Sequence, residues 1–182
     1  MRAWYPVLVG GLALARAREL TISRRRERSR PGQLAAAGTF PLMVGAHVGL
    51  FILPLVEVAA LRRRPRWVPF WLALLLAATG LRWWSIRTLG DQWNVRAAVP
   101  SDLRPVTAGP YRWIRHPNYL AVVLEFLALP MAGGAWMSAL GLSAWDGLVL
   151  IDRVRGEEAL LFAVPSYRAA FERKSRLIPG IF

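Results

Sequence analysis

A chain of 182 residues, 55% of them apolar, is the size of a single domain, and 24 basic against 11 acidic residues give it a formal charge of +13. All but one of the basic residues are arginine; cysteine is absent, which excludes a disulfide framework, a thiolate nucleophile and a cysteine-ligated metal. Nucleic-acid modules do not usually carry apolar runs of the length found here, so the charge points to anionic lipid headgroups and not to nucleic acid.

The first apolar run, Ala3 to Ala15, has no clear small-residue cleavage site before Arg16 and reads as a retained segment. It reaches the ~20 residues of a membrane span only if the helix continues through Arg16, Arg18 and Leu20, with the arginines snorkelling to headgroups. The arginine run from Arg24 to Arg30, closed by Pro31-Gly32, reads as a solvated basic collar on the lipid surface. A second span is expected from Gln33 to Ala60. It contains His47 and Glu57, and ionisable groups inside a span are functional candidates by default. Ten residues separate the two, ~15 Å of helical rise, so they cannot share a metal on a straight helix. His47 is a candidate for the wall of a substrate cavity, or else an interhelical hydrogen-bonding residue. Glu57 belongs at the interface.

Arg62 to Arg66 form a tight loop, and a third span runs from Trp67 to about Leu89 with Trp67 and Trp71 at one end and Trp83 and Trp84 at the other. Leu89-Gly90-Asp91-Gln92-Trp93 ends it, and a polar connector covers Asn94 to Thr107. A fourth span, from about Asn118 to Met131, carries Glu125. Pro130, Gly133 and Gly134 mark a hairpin into a fifth span, Trp136 to Ile151, whose helix continues through Phe162 until Pro165 stops it. Ser166 to about Arg176 reads as a short amphipathic helix, with Tyr167, Phe171 and Leu177 on the bilayer. The expected fold is therefore an all-α integral-membrane bundle of about five transmembrane helices, one domain over residues 1–182, in which N-terminal helices (1–79) precede a core (80–182).

Between the third and fourth spans lies Gly109-Pro110-Tyr111-Arg112-Trp113-Ile114-Arg115-His116-Pro117-Asn118-Tyr119. Two prolines forbid a continuous helix here, and Pro117 suits a first helical position, so the stretch reads as a shaped loop leading into a helix. With the N-terminus outside, nineteen of the 24 basic residues fall on the inner side, and five (Arg2 and the four in the 62–66 loop) on the outer. The asymmetry puts the loop and the tail in the cytoplasm. Helices joined by a short hairpin pack antiparallel, so Arg112, Arg115, His116 and Tyr119 must neighbour Arg153, Glu157 and Glu158. Such a cluster is either an interfacial salt-bridge network or a site for a zwitterionic ligand.

Gly109-Pro110-Tyr111-Arg112-x-x-Arg115-His116-Pro117-x-Tyr119, followed by Arg153-x-x-x-Glu157-Glu158, Tyr167 and Pro179, resembles the isoprenylcysteine carboxyl methyltransferase family, which is related to phospholipid methyltransferases. Upstream, Leu89-Gly90-x-x-Trp93 also matches, and the likeness covers about residues 80–179. Ser23-Arg24-Arg25, Met43-Val44 and His47 resemble a bacterial branch linked to pyrone or phenol O-methylation. The family's Phe-Gly-x-x-Tyr is here Ala163-Val164-Pro165-Ser166-Tyr167.

The resemblance implies a membrane enzyme using S-adenosylmethionine, in the bacterial inner membrane, with its active site facing the cytoplasm. It implies a cofactor site of Tyr111, Arg115, His116, Pro117, Tyr119, Glu157 and Glu158, with Arg153 near the acceptor and no metal. His47 and Trp93 would line the substrate cavity. The substrate would be a lipophilic small molecule or a lipidated chain methylated on a carboxylate or hydroxyl oxygen. A neutral acceptor needs a base, for which His116, Glu125 and His47 are the candidates. The alternatives are a membrane NADPH-dependent reductase of the sterol reductase type, a phospholipid N-methyltransferase, or a lipid-binding scaffold.

Overall fold

The computed structural model describes residues 3–180; Arg2, assigned to the outer side above, lies outside them. Five long helices run through the chain: α1 (Trp4–Ser29), α2 (Thr39–Leu61), α3 (Val68–Leu89), α4 (Pro117–Gly133) and α5 (Trp136–Leu161), followed by the short α6 (Pro165–Phe171). The fold is all-α apart from one two-stranded antiparallel ribbon, β1 (Gly32–Leu34) on β2 (Ala98–Pro100), with Gln33 opposite Val99. Gln33 and Leu34, expected to open the second span, pair instead with the connector, and α2 starts at Thr39. Gly32 permits the pairing, because a Cβ there would stand 2.6 Å from the Val99 carbonyl oxygen.

α4 is the central helix and packs against α1, α2, α3 and α5. Its Phe126, Ala128 and Leu129 are fully buried. Tyr5 of α1 packs against Gly133, whose missing Cβ makes room for the ring, and its hydroxyl donates to the Leu129 carbonyl at 3.0 Å. The hairpin to α5 turns at Gly134, whose φ of +86° is the left-handed conformation glycine accepts without strain. At the head of α5, Glu57 of α2 accepts hydrogen bonds from the backbone N–H of Met137 and Ser138 and from the Ser138 hydroxyl.

The bundle is solvated inside out. Leu14, Leu76 and Leu148 on its flanks are each at least 70% exposed, while Arg16, Arg82, Glu125, Asp146 and Arg153 are buried among the helices. Water rewards the opposite arrangement; a bilayer rewards this one. Among the described residues only α2 is long and apolar enough by composition alone to cross a membrane, and α4 is apolar but shorter. The charges of α1, α3 and α5, the buried Arg16, Arg82 and Asp146 among them, lower their mean hydropathy. Arg16 therefore does not snorkel, as its position near the end of a short apolar run suggested. It pairs instead with Glu19 and with Glu125.

The basic run also departs from a free collar. It continues α1 to Ser29, Arg26 lies 5.6 Å from the Trp93 ring centroid, and Arg30 bridges Asp91 and Asp102. α6 is shorter than the expected amphipathic helix. Its Tyr167 and Phe171 turn inward, stacked 4.4 Å apart and packed with Tyr111 and Leu161, because the interior there is aromatic and the bilayer is not their only apolar refuge.

Candidate active site

Residues 109–116 form a 3₁₀ turn (Gly109–Arg112) and an extended stretch before α4 begins at Pro117. The C-terminal tail runs parallel beside it: the Arg115 N–H donates to the Ser175 carbonyl and the His116 N–H to the Arg176 carbonyl, each at 3.0 Å. Two long cations stitch the edges, Arg115 Nε donating to the Lys174 carbonyl and Lys174 Nζ to the Tyr111 carbonyl, both at 2.8 Å.

This platform meets the last turns of α5. Glu158 Oε1 accepts from Arg115 Nη1 at 2.9 Å and lies 3.2 Å from His116 Nε2, while its Oε2 accepts from Arg176 Nε at 2.9 Å. The Tyr119 hydroxyl donates to Glu157 Oε2 at 2.6 Å. Burial works to raise the Glu158 carboxyl, but the hydrogen bonds from His116 and Arg176 and the Arg115 charge outweigh it and hold the group down, to about 2. Burial pushes the Tyr111 and Tyr167 phenols up, so both keep their protons.

A cavity of about 300 Å³ leads from this platform into the bundle. Its lining includes Tyr111, Arg115, His116, Tyr119 and Glu157 at the platform, Met43, Val44, His47, Phe51 and Val122 from α2 and α4, Trp93, and the charged Arg16, Glu19, Arg82, Asp146 and Arg153. Several buried atoms on its wall lack a partner: Trp93 Nε1, Asn118 Oδ1, Arg82 Nη1, and Nε and Nη1 of Arg153. Arg153 is anchored by its remaining nitrogen, Nη2, on the Val95 carbonyl at 2.8 Å, and its guanidinium lies 6.0 Å from the Tyr119 ring centroid. Buried unpaired donors and acceptors are costly, and a cavity lined by both kinds is suited to a polar ligand.

The ICMT family (isoprenylcysteine carboxyl methyltransferase) matches residues 71–163, just over half of the chain. The chain belongs to the isoprenylcysteine carboxyl methyltransferase family. A protein of Bacillus subtilis (strain 168) described as uncharacterized protein YpbQ is 29% identical to it over 161 residues, 85% of this chain and 95% of that protein. Family membership makes the chain a membrane methyltransferase for a lipophilic acceptor, and it covers the loop, α4 and the Glu157-Glu158 end of α5.

The structure gathers most of the residues singled out from the sequence. Tyr111, Arg115, His116, Tyr119, Glu157, Arg153, Trp93 and His47 all line the one cavity; Pro117 is fully buried as the first residue of α4; Glu158 ties the loop to α5. Glu125 stands apart: 1% exposed, it is held by Arg16 Nε and Nη2 and does not border the cavity. The tail, with Lys174 and Arg176, was missed, as were Arg16, Glu19, Arg82 and Asp146. Arg82 and Asp146 carried the signal of an ionisable residue inside an apolar segment, and Asp146 also sits at helical spacing from Arg153 and Glu157, seven and eleven residues ahead of them.

Proposed function

We propose that the protein transfers a methyl group from S-adenosylmethionine to an oxygen of a lipophilic acceptor, with five helices crossing the membrane and the 109–119 loop facing the cytoplasm. The observation that carries this reading is one cavity lined both by polar groups, Glu157 and Tyr119 among them, and by apolar side chains of α2 and α4. The donor set fits the cofactor. Glu157 offers a carboxylate to its ammonium or ribose hydroxyls, and Asn118 Oδ1 is a buried acceptor in search of a donor. Tyr111, Tyr119 and Tyr167 offer aromatic surface. When bound there, the cofactor supplies an electrophilic methyl group on a cationic sulfur.

The chain's own contribution is placement and dryness. Arg115, His116 and Arg176 fix Glu158, which locks the loop against α5 and sets the distance between Tyr119 and Arg153. His47 and Trp93 belong to the acceptor's part of the cavity, where Met43, Val44 and Phe51 exclude water. Holding two reactants at attack distance in a water-poor site contributes much of the acceleration available to a displacement that neutralises charge. His47 Nδ1 lies 2.9 Å from the Met43 carbonyl, so Nδ1 carries the proton and Nε2 is an acceptor. The inward orientation of the loop agrees with the basic-residue asymmetry, which survives the removal of Arg16, Arg82 and Arg153 from the count as interior groups.

The test is calorimetry of S-adenosylhomocysteine with detergent-solubilised protein. The reading expects binding that weakens by about 1–3 kcal/mol in Glu157→Ala, the cost of stranding a buried polar partner. Absence of binding to the intact protein would reject it.

A further inference from the structure

Asp146 lies in the middle of α5, 4% exposed and on the cavity wall, and no described donor forms a hydrogen bond with its carboxylate. Its electrostatic neighbours are Arg153 on its own helix, Arg82 on α3 and Glu125 on α4. Both arginines are fixed through some of their nitrogens and leave others unused. Arg82 donates Nε to Glu19 Oε2 at 2.9 Å, with Nη2 2.8 Å from the same oxygen, and Nη1 is left buried without a partner. Glu19 is in turn held by Arg16, and Arg16 by Glu125, so a row of alternating charges across three helices sets the position of that one free donor. Arg153 is anchored on Val95 and keeps Nε and Nη1 unpaired. Two preorganised guanidiniums with idle N–H groups beside an idle carboxylate make a hole for an oxyanion next to a proton acceptor.

We propose that Asp146 is the general base for an acceptor that carries a weakly acidic hydroxyl, and that Arg82 and Arg153 hold the oxyanion left by its deprotonation; this rests on the methyl-transfer reading above. The hydroxyl proton passes to the Asp146 carboxylate. The oxygen's electron pair forms the new C–O bond to the methyl carbon while the C–S bond breaks and its pair stays on sulfur, turning the sulfonium into a neutral thioether. Asp146 returns its proton to water once the ether leaves. A carboxylic acid acceptor, already ionised, would need no base and would meet Asp146 as a like charge. The other candidates are worse placed: Glu125 is engaged by Arg16 outside the cavity, and His116 is bound to Glu158. His47 has Nδ1 bound to the Met43 carbonyl, and its charged neighbours are Arg82, Glu125 and Arg16.

Asp146→Asn tests this with two probes, 4-nonylphenol and its far more acidic 2,6-dinitro analogue, which is ionised at neutral pH. The turnover number on nonylphenol should fall at least about 100-fold, the usual worth of a positioned base, and on the dinitro analogue only a few-fold. Equal losses on both probes, or none on either, would overturn the assignment, as would a selective loss on nonylphenol in His47→Gln with Asp146→Asn unaffected. A second measurement needs no cofactor. The visible band of the bound dinitrophenolate should appear in the wild type and weaken about tenfold in apparent affinity in Arg82→Lys, which keeps a charge for Glu19 but lacks the fork of donors. Unchanged phenolate binding in that variant also overturns the proposal, even if Asp146→Asn fails to accumulate. Binding of S-adenosylhomocysteine is measured alongside: its absence from the wild type sinks the methyl-transfer reading, whereas normal binding with uniform probe losses sinks only this one.

Discussion

At the loop end of the bundle a single carboxylate, Glu158, is met by Arg115, His116 and Arg176 from two other segments, whereas deeper in the bundle Glu125, Arg16, Glu19 and Arg82 alternate in sign across α4, α1 and α3. The first cluster converges and uses up its carboxylate. The second is a row that begins on a glutamate held through one oxygen and ends on a guanidinium with one donor to spare. Convergence suits a lock between loop and helix. A row suits transmission of position, since each member is oriented by the one before. Their surroundings also differ: desolvation is costlier among apolar helices, so an unpaired member of the row is worse than an unpaired member of the lock.

That difference can be broken most forcefully at Glu125. Glu125→Ala leaves two buried guanidiniums, Arg16 and Arg82, sharing the single carboxylate of Glu19, and should cost about 3–5 kcal/mol, read as a large drop in the thermal unfolding temperature in detergent. Adding Arg16→Met should recover much of it, because the surplus buried charge is gone and Arg82 has Glu19 to itself. Glu158→Ala should cost less stability, but it frees the loop, so S-adenosylhomocysteine affinity should fall by about 1–3 kcal/mol by calorimetry. Equal destabilisation in the two variants would erase the distinction between lock and row.

Acid sharpens the comparison further. The Glu158 carboxyl is held down to about 2, against 4.5 for a free glutamate, so its stabilisation is complete above the free value and is lost as pH falls from 4.5 toward 2. Unfolding followed across that window should show a pH dependence in the wild type that Glu158→Gln lacks. A matching dependence in the variant would move the acid-sensitive group elsewhere.

The sequence revealed the lock better than the row, for a physical reason. A loop built on Pro110 and Pro117, and a helix bearing Glu157 and Glu158, are local patterns, and one short hairpin at Gly134 suffices to bring them together. The five long helices were likewise legible, because apolar runs and proline breaks are local. The row joins residues more than a hundred positions apart, Arg16 and Glu125, and no local rule predicts which faces of α1 and α4 will touch. Arg16 thus looked like a headgroup ligand, since a charge near the end of an apolar run reads the same whether it snorkels or turns inward. Arg176 was invisible for a similar reason: its place beside Glu158 depends on the tail folding back along residues 114–116, which a polar tail does not advertise.

The smallest expected effect lies at the opposite end of α5, where the carboxylate of Glu57 receives Met137 N–H at 3.2 Å and Ser138 N–H and Oγ at 2.7 Å each. These are first-turn donors without a helical partner, and a negative charge there also meets the positive end of the helix dipole. Glu57→Gln keeps one acceptor oxygen but removes the charge, so about 0.5–2 kcal/mol of stability should be lost, within the range of a helix cap. Because Asp146, Arg153 and Glu157 take their register from α4 and the loop as well as from the start of α5, S-adenosylhomocysteine affinity should be unchanged in this variant. A loss of affinity comparable to that of Glu158→Ala would mean that α5 transmits the state of its capped end to the site over its whole 26 residues, and that the cap belongs with the row as a positioning device.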